Sequence, residues 1–135
     1  MVKKIVKRFH KDIFFPEWST TRYGEFLDKL RTNLPLSFSV HAVGKILDYR
    51  DEYGNRVWKS ILNIIRNSQI YSGELFEFYW DGERIYKVCL RFPCENLPFD
   101  VVMVISLNAT IITLYITRTE DTHKSMNKNL YSRKD

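Results

Sequence analysis

The sequence predicts an α+β protein in which N-terminal helices pack on one face of a four-stranded antiparallel meander. Three observations predict it. In the first half, apolar residues recur at i, i+3, i+4 and i+7. From Ile70 onward the period drops to 2. The last two runs, residues 99–106 and 110–117, are nearly continuous in Val, Ile, Thr and Tyr. The 135 residues are read as one domain: a basic arm over 1–15, a helical part over 19–68, an antiparallel sheet over 70–118 and a polar tail over 119–135.

Taken in order, residues 2–11 place apolar side chains at 2, 5, 6 and 9 among five basic residues and no acid, a helical stripe. This arm is read as a docked amphipathic helix or as a nucleic-acid arm. Phe14-Phe15-Pro16-Glu17-Trp18 breaks it and pins it to the core. Ser19-Thr20 offers an N-cap for a second helix, with Tyr23, Phe26, Leu27, Leu30 and Leu34 inward, ended by Pro35. Ser37 or Ser39 caps a third, expected to bury Val40, Val43, Ile46 and Leu47 and to carry His41, Lys45 and Asp48 on its opposite edge. Glu52-Tyr-Gly-Asn55 is turn chemistry, and Trp58, Ile61, Leu62 and Ile65 mark a fourth helix.

In the strand half, Phe76, Phe78 and Trp80 alternate with polar neighbours, as do Tyr86, Val88, Leu90 and Phe92. A three-residue loop, Asp81 to Glu83, pairs Phe76 with Val88, Phe78 with Tyr86 and Glu77 with Lys87, matching apolar to apolar. For the last hairpin a two-residue Asn108-Ala109 turn sets Val101, Met103 and Ile105 with Ile112, Leu114 and Ile116 on a core face. The other face then holds Asp100, Val102 and Val104 against Thr113, Tyr115 and Thr117. That mixed face is where a ligand could lie against the sheet.

Composition narrows the function. A formal charge of +5 makes an anionic partner plausible, although moderate positive charge also serves solubility. Apolar runs of about eight residues fall short of the ~20 that span a membrane. Met-Val-Lys-Lys is not followed by an apolar h-region, so Cys89 and Cys94 are expected as reduced thiols of a cytoplasmic protein. Neither shows zinc-ligand spacing with a histidine, and no metal or cofactor is expected. The five glycines are scattered, and Gly-x-Ser-x-Gly, His-Glu-x-x-His and Cys-x-x-Cys are absent, which argues against nucleotide-cofactor enzymes, zinc hydrolases and serine hydrolases.

What remains is His41 and His123 amid Lys, Arg, Tyr and Thr. Histidine exists in both protonation states near neutrality, so a pair can serve as base and acid in metal-independent RNA cleavage. One member takes the 2′-OH proton, the other protonates the 5′-oxygen, and a cation stabilises the phosphorane. Lys124 or Arg118 is expected in the third role, with Tyr115 and Tyr131 positioning the base. Candidate RNA contacts are Arg50, Lys87, Arg91, Tyr115, Thr117 and Arg118, which matter only if they converge on one face. Against this, His41 can be a surface helix residue, His123 an exposed tail residue and Tyr131 an anchor for the tail. His10, in the arm, lacks catalytic context.

Ser39-Val-His41-Ala42 at a helix start, with Arg50 nine residues on, and the ending Asp121-Thr-His123-Lys124-Ser-Met-Asn-Lys128-Asn-Leu130-Tyr131 carry a resemblance across residues 37–131. Together with the helices-then-meander order, the chain resembles the small ribonuclease superfold of RelE-type toxins, colicin D and E5 tRNases and barnase. The ending is similar to those of small phage and mobile-element proteins. The resemblance implies site residues at His41, Arg50 and His123 and a toxin-like endoribonuclease with RNA, and an antitoxin or host protein, as partners. A non-catalytic module of the same fold, binding a host protein or nucleic acid, is the alternative.

Overall fold

The computed structural model describes residues 6–66, 69–94, 96–121 and 126–133. The chain is α+β, with nine principal elements: β1 (Lys7–His10), α1 (Ser19–Thr32), β2 (Ser37–Phe38), α2 (Val40–Tyr53), α3 (Asn55–Arg66), β3 (Glu74–Trp80), β4 (Ile85–Pro93), β5 (Phe99–Ser106) and β6 (Thr110–Arg118). Four of the strands, β3 to β6, form the expected antiparallel meander. The sheet nonetheless has six strands, in the order β1-β3-β4-β5-β6-β2, and is mixed, because β2 runs parallel to β6.

The two added strands correct the sequence reading. Residues 7–10 are not helical: they pair antiparallel with β3, Arg8 opposite Tyr79 and His10 opposite Glu77. The period-3.6 stripe in the arm coexists with a period-2 pattern, Arg8 and His10 against Phe9, and the free edge of β3 selects the second. Phe9 is buried beneath Trp18, with ring centroids 5.8 Å apart, and stacks on Phe78 at 4.9 Å. The aromatic segment before α1 thus pins the arm as expected. At the other edge, Ser37 and Phe38 form a strand too short for periodicity to register.

All three helices pack on one face, where Phe26, Leu30, Ala42, Ile46, Val57, Ile61 and Ile64 meet Phe78, Val88, Leu90, Phe92, Met103 and Leu114 in one buried cluster. Ser39 caps α2, its Oγ accepting from the Ala42 N–H at 3.0 Å and donating to the Ile112 carbonyl at 2.5 Å. That second bond ties the helix start to β6 and sets its rotation. In consequence Ala42 and Ile46 face inward, and Val40, Val43 and Leu47, expected in the core, are exposed. Three of the four α3 side chains named from the sequence sit as expected, Ile61 buried and Trp58 and Ile65 packed against the core, joined by Val57 and Ile64, while Leu62 lies outside that cluster, along the groove between α2 and α3.

Both hairpins differ from expectation through bulges. The β3–β4 loop has four residues, 81–84, closed by Asp81 Oδ1 accepting from the N–H groups of Glu83 and Arg84, with Gly82 at φ 97°. Phe78 pairs with Val88 and Glu77 with Cys89, two positions away from the expected partners. Phe76 is an extra residue between the Leu75 and Glu77 pairs. It therefore leaves the helix-covered face and packs with Cys89 and Val102 on the other. The β5–β6 pairing matches expectation from Val101–Ile116 to Val104–Thr113. The loop, however, is three residues long with Ala109 at φ 65°, and Ile111, not Ile112, takes the core position opposite Ile105. Cys89 and Cys94 are buried free thiols. No helix among the described residues is long and apolar enough to cross a membrane.

Gly73, the residue before β3, is the most closely packed of the glycines. A Cβ there would lie 2.5 Å from Cζ and 2.6 Å from Cε1 of Phe92, whose side chain is buried. Gly73→Ala is therefore expected to lower stability by about 1–3 kcal/mol through overpacking, read by urea unfolding. A neutral result would show that the Phe92 ring has room to move.

Candidate functional site

The meander is covered by helices on one face only. On the other, strand alternation places Arg8 and His10 from β1, Glu77 and Tyr79 from β3, and Lys87, Cys89 and Arg91 from β4. The same face takes Val102 and Val104 from β5, and Thr113, Tyr115 and Thr117 from β6. This is the mixed face the sequence singled out, extended by β1, β3 and β4.

Glu77 is its centre. A carboxylate 3% exposed in the middle of a strand requires donors, since leaving one uncompensated costs several kcal/mol. Arg8 Nη2 lies 2.9 Å from both carboxylate oxygens, Tyr131 Oη donates to Oε2 at 2.6 Å, and the Cys89 thiol reaches Oε1 at 3.5 Å. Burial pushes the Glu77 pKa up, but bonds from Arg8, Tyr131 and Tyr79 and the charge on Arg8 outweigh it and hold the group below the ordinary glutamate value. The partners shift in the complementary sense. Burial and the Glu77 bond raise the phenols of Tyr79 and Tyr131, and burial with the Glu77 charge raises the Cys89 thiol, so all three stay protonated at neutral pH.

Around this centre, cations and rings are layered. Lys87 Nζ lies 4.1 Å from the Tyr79 ring centroid. The Arg8 guanidinium lies 5.1 Å from Tyr79 and 4.8 Å from Tyr131, His10 is 5.0 Å from Tyr131, and Phe76 is 5.6 Å from His10. His10, 2% exposed, accepts the Asp12 N–H at Nδ1 over 3.1 Å, which in a neutral ring puts the proton on Nε2. Arg8, His10, Phe76, Glu77 and Tyr131 line a cavity of about 260 Å³ with Tyr115, Asp121, Met126 and Asn127, and Tyr79 and Lys87 lie outside its lining. Burial also pushes the Tyr115 phenol up to about 12. A second hollow beyond Phe76 is lined by Lys11, Asp12, Glu74, Arg91, Asp100, Thr119 and Asp121.

The structure brings some of the sequence-predicted residues together and separates others. Lys87, Arg91, Tyr115, Thr117 and Tyr131 share the open face. Arg91 holds the start of the tail: Nε meets Asp100 Oδ2 at 2.6 Å, while Nη1 and Nη2 donate to the carbonyls of Asp121, Arg118 and Thr119. Thr117 Oγ1 meets Asp121 Oδ2 at 3.1 Å in the same turn. His41 and Arg50 are exposed on α2, in the helical layer on the opposite side, and Arg118 pairs across the sheet with Phe99, whose ring packs on Tyr53 of α2. Neither His41 nor Arg50 therefore shares a site with Tyr131. His123 and Lys124 lie outside the described residues. Beyond them the tail folds back, the Ser132 N–H donating to the Arg8 carbonyl at 2.7 Å.

Sequence reasoning missed Arg8, His10 and Glu77. The available signal was Glu77 itself, a lone charge between Phe76 and Phe78 that had to find a cation. Among the described residues, no group of three or more His, Cys, Asp or Glu side chains is placed to hold a metal ion. No protein-family model, curated protein or solved structure matches the chain.

A pH-dependent stability test follows from the pair. Arg8→Met is expected to cost about 3 kcal/mol at pH 7, because Glu77 is left buried without its cation. With Arg8 gone, burial raises the Glu77 pKa, so the variant recovers by protonation on acidification. The wild type does the reverse: its lowered folded pKa contributes stability above the ordinary glutamate value, lost as pH falls through the folded value. Urea melts at pH 7 and pH 4 should show the gap between the two proteins narrowing. A gap independent of pH would mean that Arg8 acts by packing alone.

Proposed function

We propose that the open face of the sheet binds single-stranded RNA and that the protein is a metal-independent endoribonuclease acting in the cavity at Glu77. The observation that carries this is the run Lys87, Tyr79, Arg8, Tyr131, His10, in which cations alternate with aromatic rings on a sheet face that no helix covers. Cations suit phosphates, and ring faces suit splayed bases, which stack on them for about 1–3 kcal/mol each. The backbone would run along the Lys87 and Arg8 side, since the second hollow sets four carboxylates, Asp12, Glu74, Asp100 and Asp121, against two cations, Lys11 and Arg91, that are already paired with Glu74 and Asp100.

Cleavage needs a base for the 2′-OH, an acid for the leaving 5′-oxygen and a cation for the phosphorane. The cavity offers Glu77, ionised, as the base, Arg8 as the cation and His10 as the acid in its imidazolium form, which requires Nδ1 to take up a proton in place of the Asp12 N–H that it accepts when neutral. His10 thus replaces His41, on the far side of the sheet, in the pair expected from sequence. One observation favours a second reading, binding without cleavage: both Glu77 oxygens are engaged and its ionised form is stabilised, which weakens it as a base.

A labelled single-stranded RNA incubated with the protein in EDTA separates the readings. Endonucleolytic products, lost by about 100-fold or more in His10→Gln at unchanged RNA affinity, support the enzyme. Binding without products supports the module. In either case Lys87→Ala should weaken affinity and flatten the slope of log K against log salt by about 0.7 for the lost phosphate contact. RNA that neither binds nor is cut would remove the proposal.

A further inference from the structure

Every exposed residue of α3 is a cation or an asparagine: Asn55, Arg56, Lys59, Asn63 and Arg66. Four of them, Arg56, Lys59, Asn63 and Arg66, follow at i, i+3, i+7 and i+10, so they form one straight stripe opposite the buried Val57, Ile61 and Ile64. The helix holds no acid. The other two helices differ, since α1 exposes Glu25 and Asp28, and α2 exposes Asp48, Asp51 and Glu52.

No carboxylate neutralises the stripe. Among the described residues, Arg56, Lys59 and Arg66 have no acid within ion-pair distance, whereas Arg8, Lys11, Arg22, Arg50, Arg91 and Arg118 each have one. On the neighbouring α2, Asp51 is taken by Arg50 at 3.9 Å. The stripe also works against its own helix. Arg56 and Lys59 repel at i, i+3, and a cation in the first turn opposes the helix dipole. Solubility alone gives no reason for this, because mixed charges serve it as well. A bound polyanion would make the arrangement favourable.

The side chains present indicate which polyanion. Arg, Lys and Asn are residues that contact phosphate oxygens. Protein interfaces are organised around buried aromatic or apolar anchors, and the stripe has none. It also lacks an aromatic ring on which an unpaired base could stack, in contrast to the open sheet face. A double helix asks for neither, because its bases are stacked inside and it presents one negative charge per ~1.7 Å of axis. The stripe runs straight for roughly 15 Å, enough for its three cations to meet separate phosphates. We infer that the α3 stripe docks the phosphate backbone of a nucleic-acid duplex without reading its bases. Because α3 lies across the sheet from the open face, this inference stands apart from the single-strand reading of that face.

Fluorescence anisotropy on the full chain tests it, with labelled RNA and DNA duplexes of about 20 base pairs in two unrelated sequences. The wild type should bind both sequences equally, and a preference for the RNA or the DNA duplex would name the source of the backbone. Arg56→Gln/Lys59→Gln/Arg66→Gln should weaken duplex binding by about tenfold or more and flatten the slope of log K against log salt by about 2.7, for three lost phosphate contacts. Its melting temperature should not fall, since the three side chains are exposed and unpaired. Lys29→Gln/Lys45→Gln/Arg84→Gln removes the same net charge elsewhere on the surface and should leave duplex affinity within about threefold of the wild type. Equal losses in the two triple variants would mean that net charge alone drives binding, and would overturn the inference. So would an α3 variant that binds as the wild type does, or a wild type that discriminates between the two sequences. A wild type that binds poly-L-glutamate and neither duplex would assign the stripe to an acidic protein and equally overturn it.

Discussion

A carboxylate cannot sit unpartnered inside a sheet, and the arrangement of this chain around Glu77 follows from that constraint. The group is reached by Arg8 from the first strand and Tyr131 from the tail, with Tyr79 and Cys89 from the hairpin it belongs to. Desolvation of the charge opposes folding, yet charged hydrogen bonds contribute about 1.5–3 kcal/mol each, and several of them prevail. In doing so they bring both ends of the chain to β3. The N-terminal segment, which in isolation has a helical pattern, is held as an edge strand. Of the tail, the described residues 119–121 are held by Arg91, and residues 126–133, with Leu130 exposed, reach β3 through Tyr131 and β1 through the Ser132 N–H.

The same constraint separates the two faces of the sheet. Helices cover the side where Phe78, Val88, Leu90 and Met103 present a uniform apolar surface. The polar and aromatic side chains collect on the other, and one bulge sharpens the division. With Phe76 unpaired, its ring moves from the core face to become part of the cavity wall beside His10, while Glu77 keeps its place opposite Cys89. A regular strand would have put phenylalanine in the core and left that cavity without a wall. Bulges near functional surfaces commonly re-aim a side chain in this way.

The helical layer has its own asymmetry. Ser39 is tied both to the first turn of α2 and to the Ile112 carbonyl, so α2 docks on small Ala42 and on Ile46, and three larger apolar residues remain outside. Burying those three instead would require breaking that tie to β6. The outer wall of the protein thus leaves Val40, Val43 and Leu47 exposed, while the polar and aromatic side chains collect across the sheet on the face that the helices leave uncovered.

Periodicity in the sequence determined the α+β class, the three helices from Ser19 to Arg66, the four central strands and the pairing of β5 with most of β6. Each of these rests on local repetition of side chains that reads the same in any tertiary setting. The Ser39 cap and the mixed polar face of β5 and β6 were legible for the same reason. Tertiary structure alone decided the rest. Lys7–His10 fits two periods, and only the vacant edge of β3 selects the strand. Ser37 and Phe38 are too few to show any period. The bulges at Phe76 and Ile112 depend on how the hairpins pack, and the face that α2 buries depends on one bond to β6. The site followed the same division. Tyr115, Thr117, Lys87 and Tyr131 could be placed from strand alternation and tail chemistry. Arg8, His10 and Glu77 became a unit only when residues up to 69 positions apart in sequence met, because the charge that joins them is satisfied by proximity in space, which no local pattern encodes.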